Sequence, residues 1–256
     1  MNSGFLHLVR SHEAAALLLV AAATAGITLP LYNATVIQAC LLFGLDPVSG
    51  VLLSWLPPTL LLLGAGRSLG RQLVATRRLR RLLAAGSPFG TGADTLVLEA
   101  PSPLAFTWGF LRPRTAISRG MLELLPPREL AAVLAHEAWH RRRRDPLRLL
   151  LMRTLAGAFW FLPTSRPLLT GYELALELAA DEAALRDAGR DPLAGAILHS
   201  ARLANAGAAD FAGGALEPRL AAALGEGYHP PGLWPAVFRD GSVLAASLLT
   251  LLSSCR

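Results

Sequence analysis

The sequence predicts a mainly α-helical membrane protein: an N-terminal transmembrane helical hairpin, then an α+β domain, with a candidate third transmembrane helix at the C-terminal end. Three observations predict it. Hydrophobic residues are 53% of the 256 positions and charged residues only 16%, with a mean hydropathy of +0.43, which is unusual for a chain that lies wholly in water. Two long uncharged runs fill the N-terminal region. Farther on, short β-rich runs broken by prolines give way to helical periodicity.

The first uncharged run extends from Ala14 to Leu45 and the second from Pro47 to Gly66. Each covers the roughly 20 residues that a helix needs to span a bilayer. Transmembrane helices are therefore expected at about 14–31, ended by Pro30 and Asn33, and at about 48–66, bent at Pro57 and Pro58. A secretory signal is the competing reading of the first run; the second long run and the lack of a compact apolar core with a clear cleavage site oppose it. No arginine lies between the two runs, whereas Arg67, Arg71, Arg77, Arg78, Arg80 and Arg81 crowd the stretch that follows, and Arg10 precedes the first. The positive-inside rule then places everything after residue 67 on the cytoplasmic side. The resulting organisation is a membrane region at 1–66, a cytoplasmic-face domain at 67–232 and an apolar segment at 233–256. Within that last segment, Ser242 to Cys255 is of marginal length for a span. Leu147 to Leu162 is also apolar but short and carries Arg148 and Arg153, so a buried helix, an interfacial helix and a short span all fit it.

All 24 basic residues are arginine, and the net charge of +6 suits either nucleic acid or an anionic membrane surface. With no aromatic-interleaved basic groove and no Gly-rich phosphate loop, the membrane surface is the expected partner and direct nucleic-acid binding is not expected. The two cysteines, Cys40 and Cys255, make neither a disulfide framework nor a thiolate cluster, so any metal must be held by His and carboxylate.

In the middle of the chain, Thr95 to Glu99, Leu104 to Leu111 and Arg114 to Ser118 read as strands, separated by Pro101, Pro103 and Pro113. A helix then starts at Pro126 and Pro127, where prolines are tolerated, with Glu129 in its first turn and Leu130, Val133 and Leu134 on its apolar face. Residues 205–232 are rich in Gly, Pro and Ala and read as a loop with one short helix at Leu216 to Leu224.

The chemistry lies in "AHEAWHRRRRDP", residues 135–146. Positions four apart share a helix face, so His136 and His140 can reach one ion at roughly 2.0 to 2.1 Å. Glu137, beside them, can hold a water molecule and take its proton, the general-base role in zinc hydrolases. The competing reading is two hydrogen-bonded histidines on a solvated, arginine-rich helix. Catalytic zinc sites usually take a third protein ligand, and "YELALELAADEAAL", residues 172–185, puts Glu173, Glu177 and Asp181 on one face. By spacing alone, Glu173 and Glu177 are equivalent candidates. His199, farther along a helical stretch, is a candidate oxyanion stabiliser or else a surface histidine. Arg141 to Arg144 point in different directions and read as a solvated helix end near anionic lipid.

From about residue 104 to 204 the chain resembles the integral-membrane gluzincin metallopeptidases. The resemblance is nearest to the BlaR/MecR-like antirepressor group, with the HtpX and CAAX-prenyl peptidases more distant, and rests on "GFLRPRTAIS", "ELAAVLAHEAWHRRRRDP", "FWFLP" and "ELAAD" in that order. It implies a zincin-like domain holding Zn2+ through His136, His140 and Glu177, the residue that opens the E-x-x-A/C-D stretch. It further implies that Asp181 accepts a hydrogen bond from a liganding imidazole, and that Asp145 anchors the end of the catalytic helix. In such peptidases the strand corresponding to "GFLRPRTAIS" lies at the cleft edge, where an extended substrate can pair with it; an internal strand fits the sequence as well. The implied activity is that of a zinc endopeptidase in a bacterial plasma membrane, cleaving a protein or peptide such as a cytoplasmic repressor. Quality-control proteolysis of membrane proteins and a non-catalytic scaffold are the alternatives. The sensory relatives carry a large extracellular ligand-binding domain; none is expected here, and regulation through one is not expected either.

Overall fold

The computed structural model describes residues 47–84, 86–89, 94–204 and 216–225, together with residues 38 and 44. The expected spans at about 14–31 and 242–255 lie outside the described residues. Two compact units are formed, one from the described residues of 73–150, 172–204 and 216–225, the other from 47–72 and 151–171.

The first unit carries a four-stranded sheet of β1 (Ser87–Pro88), β2 (Thr95–Leu98), β3 (Ala105–Trp108) and β4 (Arg114–Ser118) in the order β1-β2-β4-β3. β2 and β4 run parallel, with Leu96 opposite Ala116, and β3 pairs antiparallel with β4, with Thr107 opposite Thr115. Arg114–Ser118, the strand within "GFLRPRTAIS", is thus an interior strand paired on both sides, with four of its five residues buried. This corrects the expectation of a cleft edge there: the apolar "TAIS" is used to fill the core, and the edge strand is β3. Nor does the strand expected at Leu104 to Leu111 run its full length, because Gly109, at φ +93, turns the chain after Trp108.

β4 leads directly into α2 (Arg119–Leu124), where the Ser118 hydroxyl accepts hydrogen bonds from the backbone N–H groups of Met121, at 3.1 Å, and Leu104, at 2.8 Å. It therefore caps the helix and ties the approach to β3 at once. α3 (Pro127–Arg143) follows, with proline at its first position and Glu129 in its first turn. Leu130, Val133 and Leu134 pack on a cluster of Val97, Ala105, Ile117, Met121 and Leu125. Its opposite side places Ala132 in a second cluster with Ala184, Leu193, Ile197 and Ala223. These come from α5 (Ser165–Ala188), α6 (Arg190–Ala204) and α7 (Leu216–Leu224). α3 is therefore held between sheet and helices, and the polar residues of its middle are taken out of water by packing on both sides.

Arg144, at φ +54, ends α3 in the left-handed conformation, and Asp145 opens α4 (Asp145–Ala158). That abrupt reversal costs a non-glycine residue roughly 1–2 kcal/mol, and it leaves the Asp145 side chain turned back against α3.

In the second unit, the first part of α1 (Pro47–Leu83) meets the end of α4. A Cβ on Gly64 would stand 2.3 Å from the Gly157 carbonyl oxygen, and one on Gly157 would stand 2.4 Å from Ser68 Cβ, so both positions require glycine. The Ser68 hydroxyl donates to the Arg153 carbonyl at 2.8 Å across the same contact. Close approach through small residues with a hydroxyl bridging the helices is a packing mode favoured in membranes. The expected helix at 48–66 is present but does not stop at Gly66; it continues to Leu83 as one 37-residue helix containing Pro57 and Pro58. Among the described residues, no helix is long and apolar enough to cross a membrane. Trp55, Leu62, Leu63, Leu151 and Trp160 are nevertheless exposed, each 60% or more.

Candidate metal centre

α3 brings His136 and His140 together one turn apart, their rings edge to face with centroids 4.7 Å apart and their Nε2 atoms separated by 3.0 Å. α5 adds Glu177, whose Oε2 lies 3.4 Å from His136 Nε2 and whose Oε1 lies 3.6 Å from His140 Nε2. Among the described residues, these three side chains form a group whose ligand atoms all lie within 4.8 Å of one another. Glu173, one turn earlier on α5, is not part of it.

The spacing fits a metal. Ligand atoms held about 2.0–2.1 Å from one tetrahedral ion stand about 3.3 Å apart, close to the 3.0 Å between the two Nε2 atoms and to the 3.4 and 3.6 Å that separate them from the two different oxygens of Glu177. The outer faces of both imidazoles meet carboxylates. Asp145 Oδ2 lies 2.8 Å from His140 Nδ1, and Asp181 Oδ1 lies 2.8 Å from His136 Nδ1, the latter off the line of an aligned hydrogen bond. A carboxylate at each Nδ1 favours the proton there and turns the Nε2 lone pair inward. Asp145 does more than follow the end of α3, because it is 1% exposed and positions His140 directly.

The charges are arranged for a cation. Glu137, Asp145, Glu177 and Asp181 face Arg219 and Arg148, so four carboxylates meet two guanidiniums around the pair of imidazoles. Arg219, from α7, grips Asp181 through Nε and Nη2 at 2.7 and 2.8 Å and reaches Glu177 Oε2 through Nη1 at 3.1 Å. Burial opposes charge on each carboxylate, yet Arg219, followed by His136, holds both Glu177 and Asp181 below the usual carboxylate range. Burial likewise opposes a proton on His136, but Asp181 and then Glu177 outweigh it and push the metal-free imidazole up to about 10. The same negative field that holds a proton would hold a metal ion. Glu177 retains 33% side-chain exposure against 9% and 11% for the two histidines, so the cluster opens on the side of Glu177.

Glu137 is 4% exposed, and its Oε2 accepts a hydrogen bond from the Thr107 hydroxyl of β3 at 2.7 Å. His199 is placed elsewhere: its Nδ1 lies 2.7 Å from Glu129 Oε2, in the first turn of α3 and two turns before His136. Of the arginine run, Arg141 pairs with Asp94, and Arg143 lies 5.5 Å from the centre of the Trp139 ring. Sequence reasoning missed Arg219 and Thr107. The available signal for Arg219 was its place as the one basic residue of "LEPRLAAAL"; nothing marked Thr107.

Residues 75–165 match Peptidase family M48. The matched stretch runs from the end of α1 through the sheet and both histidines to the start of α5. The Protease HtpX homolog of Aquifex aeolicus (strain VF5) is 42% identical over 65 residues, which are 25% of this chain and 22% of that protein. No solved structure matches. Together with a mainly helical fold bearing a small sheet, the M48 match supports a zincin-type metallopeptidase, a class that depends on a metal ion.

Proposed function

We propose that the protein is a membrane-associated zinc endopeptidase that cleaves peptide bonds at the cytoplasmic face. The observation that carries this reading is the convergence of His136, His140 and Glu177 with Glu137 beside them, in and next to the stretch that matches M48. The donor set, two imidazoles and a carboxylate with an open side, suits catalytic zinc. When bound, the ion supplies Lewis-acid polarisation of the scissile carbonyl and acidifies water.

The chain's own groups do the rest. Glu137 takes a proton from the attacking water and hands it to the leaving amine as the bond breaks. Asp145 and Asp181 keep the imidazoles turned inward, and Arg219 holds Glu177 in place while offsetting its charge. β3, unpaired on its outer side among the described residues, offers backbone groups to an extended peptide next to Glu137. An endopeptidase needs such a strand, because the substrate must be laid out past its cut on both sides.

Membrane association is supported by the exposed Trp55, Leu62, Leu63, Leu151 and Trp160, and the cytoplasmic placement by the arginines from Arg67 to Arg81. Two substrate classes follow from two likenesses. The motif order favours a dedicated target such as a cytoplasmic repressor, whereas the likeness to a protease HtpX homologue keeps quality-control proteolysis of membrane proteins as the second reading. Profiling of cleaved proteins separates them: one dominant target supports the first, many damaged membrane substrates the second.

The test is zinc per chain and casein cleavage in detergent-purified protein. About one zinc in the native chain, its loss in Glu177→Ala, and retained zinc without cleavage in Glu137→Gln are the expected results. Well-folded native protein that takes up no zinc would point instead to a scaffold.

A further inference from the structure

We infer that Thr107 is a positioning residue for Glu137, fixing one carboxylate oxygen so that the other is aimed at the attacking water. This rests on the peptidase reading above. The Thr107 hydroxyl has one proton and two acceptors within reach, Glu137 Oε2 at 2.7 Å and the Glu137 backbone carbonyl at 2.9 Å. The carbonyl belongs to an interior residue of α3 and already takes part in the helix ladder, whereas the carboxylate is charged and makes the stronger, shorter bond. The proton therefore goes to Oε2. The carbonyl serves as a second seat that keeps the hydroxyl satisfied when the carboxylate swings from the water toward the leaving amine.

The geometry fits a positioning role more closely than a packing one. Thr107 faces the same side of β3 as Ala105, which is in the sheet–helix core, so its side chain meets α3 at a fixed height. β3 and α3 are rigid elements, and no torsional freedom of a loop enters between the hydroxyl and the carboxylate. A general base whose oxygen is misplaced by about 1 Å can lose about 100-fold in rate, and Glu137 on a three-torsion side chain has that freedom unless something holds it.

The experiment compares Thr107→Val, which keeps the shape and removes the hydroxyl, with Thr107→Ser, which keeps the hydroxyl, in zinc-loaded protein. The probe is a fluorescence-quenched peptide built on a casein site that the native chain cuts. Thr107→Val is expected to lower kcat about 10- to 100-fold, with KM within about twofold and zinc per chain unchanged, and Thr107→Ser is expected to recover most of the loss. A second readout needs no metal: thermal unfolding of zinc-free Thr107→Val, Glu137→Ala and the double variant. A hydroxyl committed to the carboxylate makes the two losses overlap, so the double variant unfolds at a higher temperature than additivity gives. Additive losses would assign the proton to the carbonyl and overturn the inference, as would unchanged kcat in Thr107→Val or a serine variant as slow as the valine one. Glu137→Gln measured alongside separates the two levels. If it still cleaves with zinc bound, the peptidase reading and this inference fall together; if it is dead while Thr107→Val is fully active, only this inference falls.

Discussion

Replacing Arg219 by methionine removes the cation that α7 brings to the cluster and keeps most of the side chain's bulk. Arg219 is 16% exposed and makes its two shortest contacts to Asp181, which is 4% exposed, at 2.7 and 2.8 Å. Removing one partner of such a buried pair costs about 3 to 5 kcal/mol, chiefly because the other charge stays buried without compensation. Glu177 is one-third open to solvent and adds little, so the lower end applies, about 3 kcal/mol. For a domain of this size each kcal/mol moves Tm by about 2–4 °C, giving a fall of about 6–12 °C in metal-free protein. Saturating zinc should recover a large part of it, since a divalent cation then faces the same carboxylates. The pH dependence follows. Arg219 lowers the folded-state pKa of Asp181 and Glu177, so their contribution is present above the ordinary carboxylate range and lost as pH falls toward the folded values. Arg219→Met should therefore flatten the acid limb of the stability profile. Thermal unfolding with and without zinc is the assay, and a metal-free shift under about 2 °C would refute the reasoning.

Glu137→Gln should keep zinc and slow cleavage by about 100- to 10,000-fold, the share of the rate that general-base catalysis supplies. Asp145→Asn, which weakens the acceptor 2.8 Å from His140 Nδ1, should lower zinc affinity about 10- to 100-fold, read by competition with a chelating dye. In metal-free protein the raised pKa of His136 stabilises the fold fully below its ordinary value and less as pH rises through about 10; zinc must displace that proton, so its affinity should climb with pH across the same window in titration calorimetry. Gly157→Ala, whose Cβ would stand 2.4 Å from Ser68 Cβ, should destabilise by about 1–3 kcal/mol, whereas Gly66→Ala, with nothing within 4 Å, should be neutral or slightly stabilising by thermal unfolding.

What depends on near neighbours in the chain could be read from the residues alone. Residues four apart share a helix face whatever surrounds them, so His136 and His140 had to converge once α3 formed. The prolines at 126 and 127, the strand at 114–118 and the short apolar helix at Leu216–Leu224 were legible for the same local reason. Which distant groups complete the site depends on how the elements pack. The spacing of Glu173 and Glu177 is identical on their helix, and it is the way α5 lies against α3 that brings Glu177 to the histidines. Strand order is equally invisible to a period of two, which is why Arg114–Ser118 is interior and Ala105–Trp108 lies at the edge. Arg219, 38 residues beyond Asp181, and Thr107, 30 residues before Glu137, reach the cluster only because separate elements pack together. Helix spacing is set by covalent geometry, whereas these contacts are set by core packing that no short stretch of the chain encodes.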